Sequence, residues 1–194
     1  MSRSNPVRND PNPATRRFEW DGESGNVRYY YKDAKENVVV KDGFTFILLD
    51  ETSAIKGYNE PAGAGIYSNE VRDTRQEVFV VKMFDKARTK IAEGHYQDIK
   101  DRVVAKGGKF TTVCYIAFRG AEGLQIGTIQ FKGAALGAWM EFKKGNRKDM
   151  YEQAVKIKGF DEAKKGKITY RTPVFHLSAE IGRASCRERV CTTV

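Results

Sequence analysis

A mainly β, antiparallel domain with a few short helices is what this sequence predicts. From Phe18 onward, short runs rich in Val, Ile, Phe, Tyr and Thr alternate with clusters of Gly, Asn, Asp and Lys, the rhythm of strands joined by turns. Within the clearest run, Lys109–Arg119, large apolar residues recur at every second position, as a strand with one face on a core requires. No internal repeat of fixed period is present, which sets solenoids and propellers aside.

In chain order, the first 17 residues hold Pro6, Pro11 and Pro13 among Ser, Asn and Arg, with almost nothing to bury, and are expected to form a disordered arm. Strands are then expected at 27–31, 37–40, 44–49, 54–58, 66–71 and 78–84, followed by 109–119, 124–132, 168–171 and 174–177. Two segments switch to helical spacing. Tyr96, Ile99 and Val103 share one face of 96–106, which Gly107 and Gly108 stop. Ala135, Trp139 and Phe142 do the same in 134–143, between Gly133 and Gly145. A third helix is expected around 148–155, and residues 18–180 are read as one domain.

The end of the chain is different in kind. Residues 181–190 read IGRASCRERV, the straight translation of a widely used sequencing adapter, so 181–194 is expected to be a non-native tail and the natural frame to be lost near Glu180. Setting its three arginines and one glutamate aside lowers the formal charge from +9 to +7. The body remains basic, a weak pointer to a polyanionic partner. Cys186 and Cys191 leave with the tail, and the remaining Cys114 excludes a disulfide framework and suits a reducing compartment. Within Thr-Val-Cys-Tyr-Ile it reads as a buried strand residue. No run approaches the ~20 apolar residues of a membrane span, and no membrane partner is expected.

Catalytic constellations are sparse. His95 at a helix start and His176 in a strand read as capping or packed residues. The Lys106–Phe110 segment has glycines and lysines but lacks the hydroxyl of a phosphate-binding loop, and neither a His-Glu-x-x-His helix nor a Gly-x-Ser-x-Gly elbow is present. Asp50 and Glu51, joined by Glu70, are the best carboxylates for a metal-dependent nuclease, although Asp50-Glu51 also reads as a turn leaving the core.

The strands instead offer cations and aromatic rings on shared faces. In 109–119 the even positions are mainly apolar, whereas the odd ones include Lys109, Thr111, Tyr115 and Arg119. Lys56 and Tyr58 share a face, Lys82 opposes Phe79 and Met83 in parity, and Lys167 and Arg171 fall together. Cations that track phosphates and rings that stack bases are the parts of a single-strand binder. Phe44, Phe46, Phe79, Phe118, Phe131 and Trp139 are expected in the core; the run Tyr29, Tyr30, Tyr31 must leave at least one ring on the other face.

Three segments, FTFILLDETSAIKGYN (44–59), IYSNEV (66–71) and GKITYRTPVF (166–175), together resemble bacteriophage single-stranded DNA-binding proteins. The resemblance implies an OB-type five-stranded antiparallel barrel with extra strands. It also implies a role in coating exposed DNA, without sequence preference, during phage replication or recombination in the cytoplasm of the infected host. The expected nucleic-acid-binding residues are Lys56, Tyr58, Tyr67, Lys82, Lys109, Tyr115, Arg119, Lys132 and Arg171, with no metal or cofactor. Expected partners are single-stranded DNA and phage replication proteins, with room for self-association. Two other classes stay open: a nuclease or nucleic-acid processing factor built on Asp50, Glu51 and Glu70, and a virion structural or assembly protein.

Overall fold

A computed structural model describes residues 12–31, 35–40, 43–120, 123–166 and 168–178. Their strands form one mixed sheet of 11 strands, in which the last hairpin branches from the longest strand. The expected β class holds; the closed five-stranded barrel does not.

The first strand, β1 (Arg16–Asp21), begins two residues before Phe18, inside the segment expected to be a disordered arm. Residues 1–11 of that segment lie outside the described residues. Phe18 and Trp20 point into the core while Arg17 and Glu19 face the other way. β1 pairs antiparallel with β2 (Asn26–Tyr31) and parallel with β9 (Gly123–Lys132), which makes the sheet mixed. β3 (Glu36–Val40) pairs with β2 and ends the sheet on this side.

β4 (Phe44–Asn59) is a single 16-residue strand where two strands and an Asp50-Glu51 turn are expected. A bulge at Leu49, between the pairs Leu48–Ile116 and Asp50–Tyr115, replaces the turn. It shifts parity, so Phe44, Phe46 and Leu48 share the inner face with Glu51, Ser53 and Ile55. On one side β4 pairs with β8 (Gly108–Gly120) along its length. On the other it meets β10 (Ala154–Lys165) with its first residues and β5 (Ala64–Ser68) with its last. Because β4 divides that second edge between two partners, the sheet forks instead of closing. β6 (Phe79–Met83) and β7 (Lys90–Gly94) complete one branch, and β11 (Ile168–Ser178) completes the other. β11 touches the β1–β2 turn through Arg171, whose N–H donates to Gly22 O at 2.9 Å and whose carbonyl accepts from Trp20 Nε1 at 2.8 Å.

Each branch has its own core. The first gathers Phe18, Phe46, Ile116, Phe131 and Trp139, the last two rings stacked 5.1 Å apart. Helix α2 (Gly133–Asn146) covers it, burying Ala135 and Trp139 in the predicted spacing. The second core holds Ile55, Phe79 and Val81 with Ile99 and Val103 of α1 (Tyr96–Ala105). His95 occupies the N-cap position of α1, but its side chain makes no capping hydrogen bond. The third expected helix is one 3-10 turn at Asp149–Tyr151, after which β10 begins. Buried Val155 and Ile157 alternate with Lys156 and Lys158, a period of two that a helix cannot use. No described helix is long and apolar enough to cross a membrane.

Candidate nucleic-acid interface

The outer faces of β1, β9, β8, β4 and β5 line a groove of about 750 Å³. Strand register builds its floor. Lys109 on β8 sits opposite Lys56 on β4, Lys56 opposite Tyr67 on β5, and Tyr67 opposite Lys82 on β6. Residues directly opposite share a face at contact distance, so the four form one row across four strands. Tyr58, two residues from Lys56, and Lys132, opposite Thr111 and so diagonal to Lys109, line the same groove. At the α1–β8 corner the backbones are pressed together. Gly107 takes φ +93°, and a Cβ on it would stand 2.2 Å from Tyr58 O.

Like charges placed opposite each other in a sheet are destabilising. Lys56 and Lys109 accept that arrangement with no described carboxylate within ion-pairing distance of either. Burial pushes the Lys56 ammonium below the ordinary lysine value; the Glu70 charge, the next largest influence, raises it, and Arg17 and Lys132 lower it. Glu19, the acid beside Lys132, is held mainly by Arg28 at 2.8 Å and lies 3.9 Å from Lys132. The floor therefore gathers Arg17, Lys56, Lys109 and Lys132 beside two tyrosine rings, with Glu19 and Glu60 also on the lining.

Of the nine expected binding residues, Lys56, Tyr58, Tyr67, Lys109 and Lys132 line the groove, and Lys82 extends its row by one strand. Three lie elsewhere. Tyr115 is on the same face of β8 as Lys109 but six residues along, about 20 Å at strand rise. Its hydroxyl donates to Glu70 Oε2 at 2.9 Å, and burial, then the Glu70 charge, push it up to about 12. Arg119 is exposed at the far end of β8, about 33 Å from Lys109. Arg171 ties the hairpin down: its guanidinium donates to Glu23 O, pairs with Glu162 at 3.2 Å and lies over the Phe160 ring. Lys167 lies outside the described residues.

The three acids considered for metal chemistry do not converge. Asp50 pairs with Arg72 at 2.6 Å on the outer face. Glu51 faces inward, accepting from Trp139 Nε1 at 3.0 Å and from Lys143 Nζ. Glu70 accepts from Thr52 and Tyr115. Among the described residues, no group of three His, Cys, Asp or Glu side chains is placed to hold a metal ion.

Sequence reasoning missed Arg17, Gln130, Phe84 and Arg88, and left Tyr30 as one of three undecided tyrosines. Arg17 was hidden in a proline-rich segment, although Phe18 and Trp20 alternating with Arg17 and Glu19 were a strand signal. Phe84 and Arg88 flank the β6–β7 turn, and nothing local distinguishes their exposed side chains from those of any hairpin. Comparison of the chain with protein-family models, characterised proteins and solved structures finds no match.

Proposed function

We propose that this protein binds single-stranded nucleic acid, DNA in the first place, along the groove over β1, β9, β8, β4 and β5, and performs no chemical step there. The supporting observation is the register row of Lys109, Lys56, Tyr67 and Lys82. Two lysines facing each other without a carboxylate gain from a polyanion what they lack in the free protein. Tyr58, 51 % exposed, offers a ring face to an unpaired base. A duplex keeps its bases stacked inside and can use only the cations. The resemblance to phage single-stranded DNA-binding proteins supplies the role, covering strands exposed in replication or recombination. The nuclease alternative is disfavoured by the separate engagement of Asp50, Glu51 and Glu70.

Fluorescence titration with oligo-dT, a duplex of equal length and single-stranded RNA at two salt concentrations tests this. The logarithm of oligo-dT affinity should fall linearly with the logarithm of salt, by about 0.7 per phosphate contacted. With three to four lysines in the groove, a slope of roughly −2 to −3 follows. A flat salt response, or equal affinity for duplex and single strand, would refute it.

A further inference from the structure

A second cavity, of about 490 Å³, adjoins the groove and shares Arg17, Lys56, Ile66, Tyr67 and Gln130 with it. These residues form a waist between two bays. On the near side stand Tyr30 and Tyr58; on the far side, Phe84 and Arg88. The waist offers a guanidinium, an ammonium and an amide, with no described carboxylate within ion-pairing distance of Arg17 or Lys56.

The far bay has a different character. Phe84 is 74 % exposed, yet its backbone is fixed, since its N–H donates to Gly65 O at 2.7 Å. The turn behind it is tied by Asp85, which accepts from Thr89 N at 2.8 Å and Thr89 Oγ1 at 2.7 Å. An apolar ring carried on a fixed backbone yet mostly in water contributes little to folding, and its edge-on contact with Tyr67, 6.1 Å between centroids, leaves open surface. Glu70 also lines this bay, so the chemistry there suits the amino and carbonyl edge of a base and repels a phosphate. A volume of this size accommodates a nucleoside.

We propose that the waist formed by Arg17, Lys56 and Gln130 seats one phosphate, and that Phe84 with Tyr67 forms a second stacking station beyond it. The minimal ligand is then a dinucleoside monophosphate, with one base on the Tyr58 side and the next against Phe84. The inference rests on the single-strand function proposed above and adds a fixed position for the strand. Burial of the Lys56 ammonium beside Arg17 and Lys132 agrees with it, because the Glu70 charge offsets these only in part and a bound anion relieves what is left.

The experiment titrates dTpdT by NMR at millimolar concentration and labelled oligo-dT by anisotropy, against wild type, Lys56→Met, Lys56→Arg and Phe84→Ala. Wild type should bind both, with shifts at Arg17 and Phe84. Lys56→Met should weaken oligo-dT about 10- to 100-fold, the range for a charge-assisted hydrogen bond, while its melting temperature stays level or rises. Lys56→Arg should restore most of the affinity. Phe84→Ala should weaken binding about 5- to 150-fold through the lost stack. If wild type binds oligo-dT but both Lys56→Met and Phe84→Ala bind equally well, or dTpdT moves neither residue, the seat is overturned and the single-strand function stands. If wild type binds no single strand, both fall together.

Discussion

Replacing Tyr58 by leucine separates the groove from the rest of β4. The ring is half exposed and lines the groove two residues from Lys56. Leucine keeps the apolar stem against the sheet, so the loss of stability should stay below about 1 kcal/mol, the scale of a small change in buried area. Stacking of a base on an aromatic ring is worth about 1–3 kcal/mol, which corresponds to about 5- to 150-fold in Kd. Anisotropy with labelled oligo-dT at fixed salt reads the affinity, and circular dichroism reads the melting temperature. Two controls sit on the same face of β8 but outside the groove. Tyr115→Phe removes a hydroxyl that donates to Glu70 and should cost about 0.5–1.5 kcal/mol of stability with affinity within twofold. Arg119→Ala should leave both nearly unchanged. If Tyr58→Leu binds as wild type while Tyr115→Phe or Arg119→Ala loses tenfold or more, the strand follows the distal half of β8 and the groove has been assigned to the wrong end of the sheet.

Other residues are expected to affect folding and not binding. Arg171→Met should lower stability by about 1–3 kcal/mol through the lost guanidinium bonds to Glu23 and Glu162, with oligo-dT affinity within twofold; paired melting and titration curves check this. Lys143→Met leaves Glu51 facing the core with only Trp139 as donor, and chemical denaturation should show a loss of about 1–3 kcal/mol. Gly107→Ala places a Cβ 2.2 Å from Tyr58 O at φ +93°, so the α1–β8 corner must shift. It should destabilise by more than about 1 kcal/mol and weaken binding as well, because Tyr58 and Gly107 line one groove.

Period-two alternation made most strands readable, because a sheet with one buried face imposes it residue by residue. It failed where geometry, not burial, decides. The stretch from Phe44 to Asn59 changes parity at Leu49, and a bulge and a turn leave the same mark in a sequence. Reading a turn there split β4 in two and hid the fork that keeps the sheet open. β7 was missed because Ala92 is its single fully buried residue, too little for a pattern. β10 was missed in part because residues 158–164 are largely exposed and highly charged.

The binding face shows the limit of parity more sharply. Parity states which side a residue faces, and on that count Lys109, Tyr115 and Arg119 are equivalent. It does not state where along the strand a ligand lies, and a 13-residue strand spans more than 40 Å, roughly, at strand rise. Register supplies the missing coordinate: pairing of Lys109 with Lys56, and of Lys56 with Tyr67, draws the cations and rings to one end of β8. Near the middle of β8, beside Tyr115 and before Arg119, stand the Asp50–Arg72 pair and Glu70, whose carboxylates oppose a phosphate chain. Charge therefore divides one face of one strand into a half suited to polyanions and a half that is not. Only long-range pairing reveals the division, because Lys56 and Lys109 are 53 positions apart in the chain and adjacent in the sheet.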